Sequence, residues 1–193
     1  DTILNNPEMT FIGGGEESYG FLIGDFVRDK DANSACFMIA EITAWAAEQN
    51  KTLYQILKEI YKEFGFYKEG LLSLTKKGIS GSEEIKNMMY RFRNDTPKEI
   101  LGSKIVEIKD YKTSICKDVN SGLETIINLP KSDVLQFFTE DGTKISIRPS
   151  GTEPKIKFYF GIKAKLNEIA DFEVVNNELN NKINALIKLF SEE

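Results

Sequence analysis

Histidine is absent from this 193-residue sequence, and its absence removes several classes of active site at once. Ser-His triads, Cys-His pairs and zinc sites built on imidazole all require it. Any acid–base chemistry must therefore use aspartate, glutamate, lysine or tyrosine. The two cysteines, Cys36 and Cys116, are too few for a metal motif or a disulfide framework. We expect both to be reduced.

Long hydrophobic runs and a surplus of positive charge are also missing. No stretch of about 18 apolar residues occurs, so no membrane-spanning segment is predicted. No basic and apolar leader indicates secretion, and we expect a cytoplasmic protein. The net charge of −5 disfavours a nucleic-acid partner. The nearest approach to an Asp-x-Asp cation site is the motif RDKDA, where Lys30 stands between the two carboxylates.

The first third of the sequence predicts few elements, and they do not make a whole domain. Thr52 and Gln55 form a capping box before the second helix, and Gly65 ends that helix. The predicted elements are the end of a buried strand at 10–12, a strand or ordered loop at 21–27, and helices at 35–46 and 53–63.

The remainder predicts an α+β domain, an antiparallel sheet with helices on one face. Strands are predicted at 66–77 (bulged at Gly70), 104–109, 133–139, 143–148 and 155–163, with a hairpin turn at Asp141-Gly142. A helix opens at Ser80, a short helical turn at Thr96, and a last helix carries Leu179, Ile183 and Leu186. Residues 110–130 are interpreted as a long loop or an insertion.

Residues 1–64 supply two helices without a sheet on which to pack, and the sequence begins at Asp1. We therefore assign 1–64 to the C-terminal part of an α/β domain and 65–193 to a second, C-terminal domain. The chain is expected to be the C-terminal piece of a larger protein. Its partners would be the missing N-terminal domains, and the exposed partial domain offers a surface for oligomerisation.

The motif RPSGTEPKIKFYF, residues 148–160, gathers groups suited to a phosphate. Arg148 offers a planar fork, Ser150 and Thr152 offer hydroxyls, and Lys155 adds positive potential. Gly151 permits a positive φ, which would turn consecutive N–H groups inward as an anion-binding nest. The alternative interpretation is a proline-glycine turn with ordinary polar residues.

The motif FIGGGEESYG, residues 11–20, also contains a glycine run but carries its own carboxylates. Carboxylates repel phosphate, whereas Glu16 is an acceptor suited to sugar hydroxyls and Ser18 can donate or accept. The three glycines would let the backbone approach a sugar ring. The carboxylates thus disfavour a phosphate at this motif, and the cations and donors of the other motif favour one there.

Both motifs resemble those of one family, the α-D-phosphohexomutases. RPSGTEPKIKFYF resembles the phosphate-binding loop of the last domain of that family, which has a fold like that of the TATA-box-binding protein. GGGEESYG resembles the sugar-binding loop of its third domain, and VRDKDA the matching stretch of phosphoglucomutases. The motifs lie in the family's order, and the resemblance covers the whole chain.

The resemblance implies roles for particular residues. Glu16 and Ser18 would bind the sugar hydroxyls, and Lys30 matches a lysine with an auxiliary role near the reacting end. A salt bridge between Lys30 and its neighbouring aspartates is the alternative interpretation for that lysine. The groups that would bind the phosphate that is not transferred are Arg148, Ser150, Gly151, Thr152 and Lys155.

The family's chemistry also needs parts that this sequence does not contain. The TASHNP-like loop of the phosphoserine and the DGDADR-like loop that holds Mg²⁺ are absent. The resemblance therefore implies that the fragment alone is inactive. The full-length enzyme would interconvert glucose 1-phosphate and glucose 6-phosphate through glucose 1,6-bisphosphate. Phosphomannomutase, phosphopentomutase and a stand-alone, non-catalytic sugar-phosphate-binding module are the alternatives.

Overall fold

The computed structural model describes residues 8–15, 20–27, 29–76, 78 and 80–192. The chain divides into two compact packing units, Asp1–Ile60 and Tyr61–Glu193. The assignment of residues 1–64 and 65–193 to two domains stays a prediction. None of the described helices combines the length and the hydropathy needed to cross a membrane.

The first unit begins with a small antiparallel hairpin rather than with the predicted buried strand. Strand β1 (Gly13–Gly15) pairs with β2 (Phe21–Ile23), and Gly14 lies opposite Leu22. The strand expected at 10–12 is therefore wrong, because the glycines themselves are extended and exposed. The glycines lack side chains that would indicate a strand, so the sequence pattern pointed to the apolar residues before them.

Two helices follow, and each extends beyond its predicted bounds. Helix α1 is Ala32–Glu48, and helix α2 is Leu53–Phe64. The predicted capping box is confirmed: the Gln55 N–H donates to Thr52 Oγ1 at 3.2 Å, and the Thr52 N–H donates to Gln55 Oε1 at 2.7 Å. Gly65 follows α2 with a φ of 102°.

The second unit is an α+β domain, as predicted. Its strands form an eight-stranded antiparallel sheet in the order β3-β10-β9-β8-β5-β6-β7, with β4 paired to β5, over the described residues. The strands are β3 (Phe66–Thr75), β4 (Glu99–Ile100), β5 (Ser103–Asp110), β6 (Ile115–Asp118), β7 (Glu124–Ile126), β8 (Leu135–Thr139), β9 (Lys144–Pro149) and β10 (Lys155–Ala164). Helices α3 (Gly81–Asn94) and α4 (Phe172–Ser191) accompany it, the latter after a 3₁₀ turn (Ile169–Asp171).

The helices and one face of the sheet share a single hydrophobic core. Alternate residues of β10 are buried in it, and Phe158 has no exposed surface. The Phe158 ring lies 5.9 Å from the ring of Phe92 on α3 and 5.2 Å from that of Phe190 on α4, measured between centroids. Because side chains alternate along a strand, Lys157 and Tyr159 project from the opposite face. The core thus fixes the direction of the β10 side chains that matter below.

Gly70 does not mark a bulge. The register between β3 and β10 is continuous, with Gly70 opposite Phe160. A Cβ at position 70 would lie only 2.6 Å from Cγ2 of Ile183 on α4. The glycine therefore allows α4 to approach the sheet closely.

Two other expectations need correction. Residues after Thr96 form no helical turn; Glu99 instead begins β4, which pairs with β5. The segment 110–130 contains the β6–β7 hairpin, which extends the sheet. The helix predicted to open at Ser80 is confirmed, since Ser80 directly precedes α3, and its hydroxyl donates to Glu84 Oε1 at 3.2 Å. Short polar strands such as β6 and β7 leave little alternation to detect, because their sheet partners rather than their burial fix them.

The predicted hairpin turn at Asp141-Gly142 is confirmed, and it is tied to α4. Gly142 has a φ of 78°. The Asp141 carboxylate accepts hydrogen bonds from the hydroxyls of Thr139 and Thr143, both at 2.7 Å, and from Lys182 Nζ at 2.6 Å. Burial alone would raise the pKa of Asp141, but the hydrogen bonds from Lys182, Thr139 and Thr143 outweigh burial and hold that pKa well below its usual range.

We expect Asp141→Asn to lower the free energy of unfolding by about 1–2 kcal/mol at pH 7, a value reduced by the partial exposure of the pair. A depressed folded-state pKa contributes stability above the unfolded value of about 3.9, and this contribution is lost as the pH falls further. The gap between the variant and the parent should therefore shrink below about pH 4. Urea unfolding at pH 7 and pH 3 measures the difference in unfolding free energy between the parent and Asp141→Asn. An equal difference at both pH values would contradict the role given to the ionised Asp141 carboxylate.

Candidate functional site

The loop between β9 and β10 is held in place by backbone hydrogen bonds at both of its ends. The Ser150 N–H donates to the Lys155 carbonyl at 2.7 Å, and the Lys155 N–H donates to the Glu153 carbonyl at 2.7 Å. The N–H of Lys76, just after β3, donates to the Pro154 carbonyl at 2.9 Å. The loop is therefore a fixed platform at the end of three adjacent strands.

The inner hydrogen bonds of this loop are long. The N–H groups of Thr152 and Glu153 both point to Ser150 Oγ, at 3.4 Å each. Such distances are well beyond the usual value of about 2.9–3.0 Å, so these donors retain much of their capacity. An anion accepting both would exchange two weak bonds for two stronger ones.

Gly151 differs from the expectation, because its φ does not lie in the left-handed region. The loop turns without it, through the bonds of Ser150 and the flanking prolines. A Cβ built at Gly151 meets no atom of the described chain within 4 Å. Gly151 therefore leaves open space above the loop, and the loop does not require a positive φ at this position.

An open cleft of about 480 Å³ lies over the loop. It brings together all five residues predicted to bind phosphate: Arg148, Ser150, Gly151, Thr152 and Lys155. Two further residues of β10, Lys157 and Tyr159, line the same cleft. Neither Lys157 nor Tyr159 is among the residues that the sequence predicts to bind phosphate. The alternation of β10 could have identified both, since they share a face with Lys155.

The charges around this cleft favour an anion. Arg148 is exposed and lies directly opposite Lys157 in the β9–β10 register. Like charges placed opposite each other destabilise a sheet. Within the described residues the side chain of Arg148 forms no ion pair or hydrogen bond, whereas Lys155 Nζ lies 3.0 Å from Glu153 Oε2. An anion above the loop would relieve the repulsion between Arg148 and Lys157.

A second cleft, of about 310 Å³, belongs to the first unit. Its described lining consists of Gly14, Gly15, Gly20, Phe21, Leu22, Asp29 and Lys30. The predicted sugar ligands Glu16 and Ser18 lie outside the described residues. Lys30 does line this cleft, and its neighbours Asp29 and Asp31 accept backbone N–H groups from Lys30 and Asn33.

No metal centre is evident in the part of the chain that the structure describes. There, no three side chains among cysteine, aspartate and glutamate converge as ligands would.

Two family models match the sequence. Residues 4–64 match the α/β/α domain III of phosphoglucomutase/phosphomannomutase, and residues 94–175 match the C-terminal domain of the same family. The first match contains the small cleft and the second contains the loop cleft.

Curated relatives agree with these matches. A phosphoglucomutase of Staphylococcus epidermidis is 36% identical over 92% of this chain and 32% of its own length. A phosphoglucomutase of Staphylococcus aureus is 40% identical over 89% of this chain and 29% of its own length. The chain thus spans about a third of the length of the curated relatives it matches.

A solved structure shares the fold. The open form of the exocytosis-sensitive phosphoprotein pp63/parafusin, a phosphoglucomutase from Paramecium, matches with a TM-score of 0.54 and 18% identity. The match covers 96% of this chain and 32% of that protein.

Proposed function

Because the chain belongs to the phosphoglucomutase/phosphomannomutase family, we propose that it forms the C-terminal substrate- and phosphate-binding part of a phosphoglucomutase. The enzyme interconverts glucose 1-phosphate and glucose 6-phosphate through a phosphoserine and glucose 1,6-bisphosphate. The observation that carries this proposal is the cleft over the β9–β10 loop, where Arg148 faces Lys157 without an acidic partner among the described residues. The names of the relatives support the choice of reaction.

The loop binds the phosphate that is not being transferred. The Arg148 guanidinium and the N–H groups of Thr152 and Glu153 donate to its oxygens, and Lys157 adds positive potential. These donors recognise a dianion by charge and geometry. They do not distinguish which carbon bears the phosphate, so one site serves both isomers and both orientations of the bisphosphate.

The small cleft binds the sugar. Its glycines leave room for a ring, Glu16 and Ser18 provide the polar ligands, and Lys30 gives electrostatic or acid–base help at the reacting end. The serine that carries the transferred phosphate and the Mg²⁺ ligands are provided by other domains of the complete protein. Phosphoryl transfer needs both, so this chain alone binds substrate without turning it over.

The first unit offers the surface for those domains. Among its described residues only Ala46 and Ile56 are buried hydrophobics, while Phe37 and Trp45 of α1 are more than half exposed. Exposed aromatics on one helix are typical of a face that packs on another part of a protein. We place the complete enzyme in the cytoplasm.

The phosphate site can be tested on this chain by itself. Titration with inorganic phosphate and with glucose 6-phosphate should shift the backbone amide signals of Thr152 and Glu153 in NMR spectra. A response confined to other parts of the molecule would contradict the site.

Gly151→Ala is expected to weaken phosphate binding by about tenfold, because its methyl group takes the open space above the loop. Stability should stay within about 0.5 kcal/mol, since no described atom lies within 4 Å of that methyl. Gly161→Ala on β10 is the matched control, because its methyl makes ordinary contacts at 3.8 Å. Equal affinities for Gly151→Ala and Gly161→Ala would contradict the prediction.

The reaction is tested on the protein that the complete reading frame encodes. We expect turnover of glucose 1-phosphate, measured by coupled oxidation of glucose 6-phosphate, to exceed that of mannose 1-phosphate. Faster turnover of mannose 1-phosphate or of ribose 1-phosphate would replace the proposed substrate with that sugar. No mutase activity with any of them would favour a non-catalytic binding module.

A further inference from the structure

Gly20 is a buried glycine at the edge of the small cleft, and a side chain of the same unit occupies the space beside it. A Cβ built at position 20 would clash with Cδ of Lys30, and it would lie 3.0 Å from Cγ and 3.4 Å from Cε. The aliphatic stem of Lys30 therefore passes directly over the α-carbon of Gly20. The φ of Gly20 is not in the left-handed region, so the backbone alone does not require a glycine there.

The backbone of Lys30 is fixed independently of this contact. The Asp31 N–H donates to the carbonyl of Phe21, the first residue of β2, at 2.9 Å. The Asp31 carboxylate in turn caps α1 by accepting the N–H groups of Asn33 and Ser34, both at 3.1 Å. The Lys30 N–H donates to Asp29 Oδ1 at 2.7 Å. With its α-carbon held in this way, the path of the stem contributes to where the ammonium group lies.

We propose that Gly20 is a positioning residue for Lys30. The absence of a side chain at position 20 provides a channel for the lysine stem, which brings the ammonium group to the cleft lined by Gly14, Gly15 and Asp29. A methyl group at position 20 displaces the stem and leaves the ammonium group elsewhere. The use of that ammonium group in catalysis rests on the proposed function, whereas the packing of the stem does not.

A substitution at Gly20 should therefore act through Lys30 and not through the fold. The atom in conflict belongs to a flexible side chain, which can move at little cost, and not to the backbone. This separates Gly20 from a glycine such as Gly81, where an added Cβ would meet the backbone of Lys76.

The test is a double-mutant cycle in the protein that the complete reading frame encodes, with the variants Gly20→Ala, Lys30→Met and both together. We expect Gly20→Ala to lower kcat by about tenfold with a smaller change in KM, a size typical of a misplaced charged group. In the Lys30→Met background the same change should have no further effect. The proposal would be overturned if the double variant lost kcat by the product of the two single losses. It would also be overturned if Gly20→Ala left kcat unchanged.

A second measurement on the 193-residue chain decides the packing without any activity. Nuclear Overhauser contacts between the Gly20 α-protons and the γ- and δ-protons of Lys30 are expected, and Gly20→Ala should shift the Lys30 side-chain signals. The absence of these contacts overturns the inference. Their presence, together with a complete protein that has no mutase activity, leaves the inference standing and rejects the proposed function.

The melting temperature of Gly20→Ala tests whether Gly20 serves the fold instead of the position of Lys30. We expect the Tm of Gly20→Ala to stay within about 2 °C of the parent. If it falls by more than about 5 °C, removal of the stem in Gly20→Ala/Lys30→Ala must restore it, because the clash is then gone. Failure of the double variant to recover would show that Gly20 serves the fold, and it would overturn the proposal.

Discussion

Replacement of Arg148 by alanine is expected to lower kcat/KM of the complete enzyme by about 30-fold or more. Removing one partner of a desolvated charge-assisted pair costs about 2–5 kcal/mol, and each 1.4 kcal/mol is about a factor of ten. Arg148 supplies the fork of the phosphate site, and the loop donors that remain are backbone groups with weak internal bonds. The kcat/KM of Arg148→Lys should lie between those of the parent and of Arg148→Ala, because lysine keeps the charge but loses the planar fork.

In the absence of ligand, Arg148→Ala should leave the fold intact or make it slightly more stable. Arg148 is exposed, and it lies opposite Lys157. Removing one of two opposed like charges is worth about 0.2–1 kcal/mol in a sheet. Steady-state kinetics and thermal unfolding with and without phosphate measure both effects. The parent chain should gain stability from phosphate, and the variant should not.

Arg91→Ala is the matched control, since Arg91 is also exposed but lies on α3 and does not line the loop cleft. It should retain the parent's kinetics. Kinetics near those of the parent for Arg148→Ala, or the same loss in both variants, would refute the role of the loop in binding substrate.

Replacement of Phe158 by alanine is expected to remove about 3–5 kcal/mol of stability. Phe158 is fully buried on β10, and its ring contacts an aromatic ring from each of the two helices on that face. Since small domains are stable by only about 5–15 kcal/mol, this single change takes a large share of the total. The cleft should be lost with the fold, because Lys157 and Tyr159 flank Phe158 on β10.

Urea unfolding followed by circular dichroism measures the loss. Phe158→Leu should cost less than the alanine variant, because it leaves a smaller cavity. Tyr90→Ala on the exposed side of α3 is the control, with an expected change within about 0.5 kcal/mol. A loss below about 1 kcal/mol for Phe158→Ala would mean that this ring does not hold the helices to the sheet.

Much of the second unit could be predicted from the sequence because its strongest signals are local. The alternation along 155–163 predicted β10 to within one residue, and the Asp141-Gly142 pair predicted its hairpin. In the first unit, the Thr52–Gln55 box likewise predicted the start of α2, and its two reciprocal hydrogen bonds are present. In each case a few neighbouring residues contain the whole physical cause.

The predictions that proved wrong have causes that the local sequence pattern does not show. Gly70 pointed to a bulge, but its neighbour is Ile183, more than a hundred residues later. The segment 110–130 carries no clear period, yet the edge of β5 pairs with it and extends the sheet. Gly151 pointed to a left-handed turn, but the loop is shaped by Ser150 and its flanking prolines.

The sequence by itself determined which side chains these 193 residues can offer to a ligand. Without histidine no imidazole chemistry is open, and the two motifs separate a carboxylate-bearing segment from a cation-bearing one. Only the tertiary structure decided that Arg148 faces Lys157 across two strands and that Lys30 passes over Gly20. Composition and motifs are properties of neighbours along the chain. Register and packing depend on which distant residues meet, and the cross-strand pairing and the buried core fix those meetings.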